Sequence, residues 1–201
     1  MTPRRTRAYT AGMHDAPPGR LPTIVYVEDN AGDSILLAEA LREGGHAAQL
    51  LVIDTGDKAL HYFQIKEKAH DLPPPHCILL DAYLPAVTGL QLLRFLRSSR
   101  VFDDTPIYIF AAEDELGGLL HTGLVSRESY LTKATSWNGF LDLARLLMRS
   151  AMAKQDHVAA SASDARPEVH AEGLLRRRET NEQRTRAAQG SQPLTAAHPH
   201  P

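Results

Sequence analysis

The chain has 201 residues, of which 43% are hydrophobic and 23% charged, and its formal net charge is −2 at pH 7. These proportions belong to an ordinary globular chain, with no global field to drive it onto nucleic acid or anionic lipid. A single cysteine, Cys77, excludes an intrachain disulfide framework and suits a reducing compartment.

Residues 1–20 carry Gly, Pro and Arg without periodicity and read as a disordered leader. Arg4, Arg5 and Arg7 are followed by no apolar segment, so no secretory signal is read. No run approaches the roughly 20 apolar residues that span a bilayer, so a cytoplasmic protein without a membrane partner is expected. Thr23 to Val27 forms a near-continuous apolar strand of the kind buried in parallel sheets. A helix is predicted from Asp33 to Glu43, with Leu37, Ala38 and Leu41 on one face and Gly44-Gly45 as its stop. Gln49 to Ile53 reads as a second strand, and Thr55-Gly56 opens a helix presenting Ala59, Leu60 and Phe63.

A polar connection with three prolines, Pro73 to Pro75, leads to the strand Cys77 to Leu80, where the thiol reads as buried and inert. Gly89 starts a helix bearing Leu92, Leu93 and Leu96. Pro106 introduces the strand Ile107 to Phe110, and Glu113 to His121 is a weaker helix. Tyr130 to Thr132 is a short fifth strand. The last helix begins at Ser136, a suitable N-cap, and presents Trp137, Phe140, Leu141, Ala144, Leu147 and Met148. Five β–α units imply an α/β domain over residues 21–150, a parallel sheet with helices on both faces.

After Ser150 large apolar residues become sparse, so residues 151–201 read as a disordered tail that cannot offset its ordering entropy. Leu174 to Ala188, around Arg176-Arg177-Arg178, could form a transient basic helix. Solvation accounts for it, and no nucleic-acid partner is expected.

Charged residues end the strands. Glu28 and Asp29 follow the first, Asp81 the third and Lys133 the fifth. In open α/β sheets the carboxyl ends of the strands form the crevice where ligands bind. Three carboxylates there repel unless a cation sits among them, and a nearby ammonium suits an anion such as phosphate. With the strands in the order 2-1-3-4-5, all these groups converge.

The motifs are Val27-Glu28-Asp29, then Leu79-Leu80-Asp81 with Leu84-Pro85 and Gly89 downstream, then Tyr130-Leu131-Thr132-Lys133. In these the chain resembles the receiver domain of two-component response regulators. The resemblance implies a flavodoxin-like, doubly wound, five-stranded parallel sheet with five helices in a single domain. It makes Asp81 the phosphoacceptor, taking a phosphoryl group from the phosphohistidine of a sensor histidine kinase. Mg²⁺ would be held by Asp29, Asp81 and the backbone carbonyl of Tyr83, with Glu28 helping through water, and Lys133 would be the catalytic cation. Such a protein assists its own phosphorylation and dephosphorylation and is not an enzyme with a separate substrate. Ala134 stands where a proline usually follows the lysine, and a long proline-rich connection covers residues 66–76. Both are similar to the small single-domain regulators of bacterial and cyanobacterial phytochrome kinases. That subfamily implies a phytochrome partner and no output domain. A homodimer through the fourth helix, fifth strand and fifth helix is also implied.

The pattern departs at Ala111, where receivers carry the Thr or Ser whose hydroxyl binds the phosphoryl group. That removes one hydrogen bond to a charged group, about 1.5–3 kcal/mol. Tyr130 matches the aromatic switch residue and, beside the small Ala111, is expected inward without phosphate. Tyr83 and Glu113, each two residues past Asp81 and Ala111, are expected at the mouth of the site, hindering or orienting the attacking water. The missing hydroxyl keeps an alternative open, a pseudo-receiver that acts as a phosphorylation-independent interaction module. A haloacid-dehalogenase-type hydrolase would need a carboxylate at Tyr83, and no Gly-x-Gly-x-x-Gly follows the first strand. His46, His61 and His121 lack metal-ligand spacing and are expected on the surface.

Overall fold

A computed structural model describes residues 7–11, 21–69 and 71–164. The elements are β1 (Arg7–Ala11), β2 (Thr23–Val27), α1 (Ala31–Glu43), β3 (Ala48–Ile53), α2 (Gly56–Lys68) and β4 (Cys77–Asp81). They continue with α3 (Gly89–Ser98), β5 (Ile107–Ala111), α4 (Leu116–His121), β6 (Tyr130–Thr132) and α5 (Trp137–Asp164). The six strands lie in the order β1-β3-β2-β4-β5-β6. From β3 to β6 every pairing is parallel. Those five strands reproduce the expected 2-1-3-4-5 order.

Strand alternation divides the core. Val25, Val27, Ile78, Leu80, Ile107 and Ile109 pack beneath Phe63 of α2, Leu92 and Leu96 of α3 and Leu119 of α4. Ile24, Tyr26, Leu79 and Phe110 face the other way, onto Leu37 and Leu41 of α1 and Phe140 and Leu147 of α5. Both faces are therefore covered, which is why the strands read as unbroken apolar runs. Helix starts are capped by Asn30, Thr55 and Thr88, the last in a capping box with Gln91. Gly44 ends α1, and Gly45 takes the left-handed conformation at φ 67° that turns the chain toward β3.

Three expectations are corrected. The sheet has six strands, not five, and β1 runs antiparallel to β3, from Arg7 opposite Val52 to Ala11 opposite Ala48. Part of the segment read as a disordered leader is thus a strand. Tyr9 is its anchor, packing against the cluster under α1 and α5, and the backbone groups of β3 supply the ladder. The last helix does not stop near Ser150 but continues to Asp164. Ala151 and Lys154, both buried, extend the stripe begun by Leu147. The fourth helix is a 3₁₀ turn over Glu113–Glu115 followed by six α-helical residues, with Gly117 and Gly118 weakening it.

Residues 1–6, 12–20 and 165–201 lie outside the described residues, and with them the rest of the predicted leader, most of the predicted tail and the basic segment from Leu174 to Ala188. Two compact units divide the chain, Met1–Ser161, which carries the sheet, and Ala162–Pro201. Among the described residues no helix is long and apolar enough to cross a membrane.

Candidate functional site

Residues two apart on a strand point the same way, so the side chain of Tyr26 lies alongside that of Glu28 just past the end of β2. The Tyr26 hydroxyl donates to Glu28 Oε2 at 2.8 Å. The Asn30 N–H donates to Glu28 Oε1 at 3.0 Å, and the Asn30 side chain accepts from the Gly32 N–H to start α1. Glu28 is 1% exposed and Asp81 4%. Asp81 ends β4, and its Oδ1 accepts the Tyr83 N–H at 3.1 Å. Gly89 lets α3 start directly behind it, because a Cβ there would come within 2.0 Å of the Asp81 carbonyl oxygen.

Lys133 follows β6, held by its N–H to the Ala111 carbonyl at 2.8 Å. Its half-buried side chain crosses the strand ends to donate to Asp81 Oδ2 at 2.7 Å and to Glu28 Oε2 at 3.3 Å. The ammonium also lies 5.8 Å from the centre of the Phe110 ring. Asp29 completes the group from the exposed rim, and one oxygen from each of Glu28, Asp29 and Asp81 lies within 4.8 Å of the others. Carboxylate oxygens so placed are the donor set a hard divalent cation takes.

The electrostatics follow from burial and crowding. Burial, then the charge of Asp81, pushes the Glu28 carboxyl up to about 7, against the hydrogen bonds from Asn30 and Tyr26 and the charge of Lys133. Burial works against the charge on Lys133, but the hydrogen bond to Asp81 and the two carboxylate charges outweigh it and raise its pKa. Burial, then the Glu28 charge, raises the Tyr26 phenol, so it stays a protonated donor.

No protein-family model matches the chain. Response regulator Rcp1 of Synechocystis sp. is 25% identical over 111 residues, 55% of this chain and 76% of that protein. SphR of Synechococcus elongatus, an alkaline phosphatase synthesis transcriptional regulatory protein, is 31% identical over 137 residues, 66% of this chain and 52% of SphR. The chain thus spans about half the length of that regulator. Among solved structures, the bacteriophytochrome response regulator AtBRR has a TM-score of 0.52 at 27% identity, covering 64% of this chain and 94% of that one. The chain is a relative of the response regulators. The Mn²⁺-bound form of Rcp1 has the same fold, with a TM-score of 0.51 at 24% identity over 61% of this chain and 88% of that one.

The rest of this receiver-like site lies along β5 and β6. Ala111 ends β5 fully buried, with no hydroxyl. Tyr130 is 8% exposed, and its hydroxyl donates to the carbonyls of Ala111, at 3.2 Å, and Ala112. Its ring belongs to the core cluster that contains Ala111. Tyr83 is 57% exposed at the mouth. Slight burial and then the charges of Glu115 and Asp114 raise its phenol. Glu113 is exposed on the 3₁₀ turn, while Glu115 accepts the Ala112 N–H at 2.8 Å.

The reading of the sequence missed Tyr26, Asn30 and Glu115. The signal for Tyr26 was its spacing from Glu28, and for Asn30 its place as an N-cap residue before α1. Cys77 is buried, and burial pushes its thiol up to about 12, as an inert core residue requires. His61 and His121 are exposed, but His46 is half-buried against Gly44.

Proposed function

We propose that the protein is a response-regulator receiver that accepts a phosphoryl group from a sensor histidine kinase onto Asp81. The observation that carries this reading is the Lys133 ammonium 2.7 Å from a nearly buried aspartate, with two further carboxylates alongside. A structural ion pair would not need three carboxylates crowded at one sheet edge, whereas phosphoryl transfer does, because it depends on positioning and charge neutralisation. The likeness to AtBRR, named as a bacteriophytochrome response regulator, favours a phytochrome-type kinase, and we place both proteins in the cytoplasm. A homodimer would use the face of α4, β6 and α5.

In the forward reaction an Asp81 carboxylate oxygen attacks the phosphorus of the kinase phosphohistidine. The P–N bond breaks, an acyl phosphate forms, and the departing imidazole nitrogen takes a proton from solvent. Lys133 pairs with Asp81 beforehand and then with the added phosphoryl oxygens. Asp29, Asp81 and the Tyr83 carbonyl, with Glu28 through water, would hold Mg²⁺, which when bound neutralises charge on the transferring oxygens. Tyr83 and Glu113 stand at the entrance, where a ring and a carboxylate affect the water that later hydrolyses the acyl phosphate. The buried Ala111 offers no hydroxyl, so the phosphoryl group has one fewer donor than a Thr or Ser would give.

The test is incubation of the full chain with acetyl phosphate and MgCl₂, read by intact-mass spectrometry and Phos-tag gels. Phosphate should appear on the native chain and not on Asp81→Asn. A native chain that stays unmodified, with donors known to label other receivers, would establish the pseudo-receiver reading that Ala111 favours.

A further inference from the structure

Tyr26 has a role that its position in an apolar strand conceals. The ring is fully buried between α1 and α5, in edge contact with Phe110 at 6.2 Å between centroids. No water reaches its hydroxyl, and a buried phenol needs a partner. That partner is Glu28 Oε2, the same oxygen that Lys133 approaches at 3.3 Å. The other oxygen is taken by the Asn30 N–H. A rigid donor therefore shares the one carboxylate oxygen that Lys133 reaches at longer range and that a cation would otherwise take. Phe110 joins the two halves of the arrangement, since it touches the Tyr26 ring and lies beneath the Lys133 ammonium.

We infer that Tyr26 is a positioning residue of the phosphoacceptor site. By occupying Glu28 Oε2 it keeps that carboxylate from drawing Lys133 off Asp81 and from closing directly on a divalent cation. This rests on the reading of Asp81 as phosphoacceptor. The consequence is a division of labour among the three carboxylates: Asp29 and Asp81 face the cation, while Glu28 is held back as an anchor. Lys133 then keeps its shorter contact, 2.7 Å, with Asp81.

The expected signature is two effects of opposite sign. Without the hydroxyl, Glu28 Oε2 loses its tether and is free to close on the cation, so Mg²⁺ should bind more tightly by roughly three- to tenfold, a fraction of what a hydrogen bond to a charged group is worth. The phosphorylation rate at saturating Mg²⁺ should meanwhile fall by a similar factor, because Lys133 divides its time between Glu28 and Asp81. The experiment is calorimetric titration of the full chain with MgCl₂ alone, together with the rate of labelling by acetyl phosphate at saturating MgCl₂. It compares the native chain with Tyr26→Phe, which keeps the ring, and Tyr26→Met, which keeps only the bulk. Both variants should show tighter Mg²⁺ and slower labelling. Unchanged affinity, or affinity and rate falling together as in a damaged core, would overturn the inference. If the native chain takes no phosphate but the variants still bind Mg²⁺ more tightly, the placement of Glu28 by Tyr26 stands and the phosphoacceptor reading falls.

Discussion

Ala111 has no polar side-chain atom, yet its carbonyl is among the busiest in the site, accepting from the Lys133 N–H and the Tyr130 hydroxyl. Those two bonds tie the end of β5 to β6. Ala111→Thr should raise the equilibrium constant for labelling by acetyl phosphate about tenfold, the low end of a hydrogen bond to a charged group. It should also destabilise the unlabelled protein by about 1–3 kcal/mol, since the added atoms enter a packed core. Quantitative Phos-tag gels and urea unfolding read the two effects separately. His46 is a second residue whose environment sets a measurable property. Burial, then the charge of Arg145, holds its imidazole below the usual value, so the folded state favours the neutral ring. The unfolded chain takes up the proton near about pH 6.5. This contribution to stability is therefore whole above that pH and is lost as the pH falls through it. His46→Gln should lose less stability than the native chain between about pH 7.5 and pH 5.5, compared by urea midpoints.

At the scale of elements, the continuation of α5 past Ser150 matters because of what it buries. Lys154 sits 8% exposed with its ammonium on the Thr105 hydroxyl, and burial lowers its pKa. A lysine kept more easily neutral in the fold makes stability rise as pH climbs through the depressed folded value toward the ordinary lysine range. Lys154→Met should therefore raise the urea midpoint at neutral pH, and its advantage should shrink under alkaline conditions. An unchanged midpoint would mean that the Thr105 contact offsets the burial. This lysine also explains why the helix end was illegible, for a buried stripe carried by Ala151 and Lys154 has no large apolar residue to mark it. The parallel strands were legible because burial on both faces leaves few polar residues in them, with Thr23, Gln49 and Thr132 at or near strand ends. The site was legible because Glu28, Asp29, Asp81 and Lys133 each break an apolar run at its carboxyl end. Strand β1 was not, since its ladder partner lies some way along the chain and only Tyr9 signals an inward face. Tyr26 was hidden for the opposite reason: an aromatic inside a strand reads as core, and only its contact with Glu28 reveals a second task.

For the whole molecule, the crowded carboxylates tie folding to cation binding. A cation that binds only the folded state adds about 2.7 kcal/mol at a concentration 100 times its dissociation constant. The melting temperature should accordingly rise with added MgCl₂ or MnCl₂ and return on chelation. Asp29→Asn and Asp81→Asn should each remove most of that rise, as differential scanning fluorimetry would show. The edges of the sheet bear on the molecule's behaviour in a different way. Strand β1 occupies the outer backbone groups of β3 along Ala48–Val52, most of a six-residue strand that contains Leu50, Leu51, Val52 and Ile53. An apolar edge of that length is a template for another chain. With β1 in place, the sheet ends instead in strands of five and three residues. A shortened form beginning at Pro22 would keep the reacting groups and uncover that edge. Its shelf life at high concentration, not its chemistry, is where the missing strand would be felt.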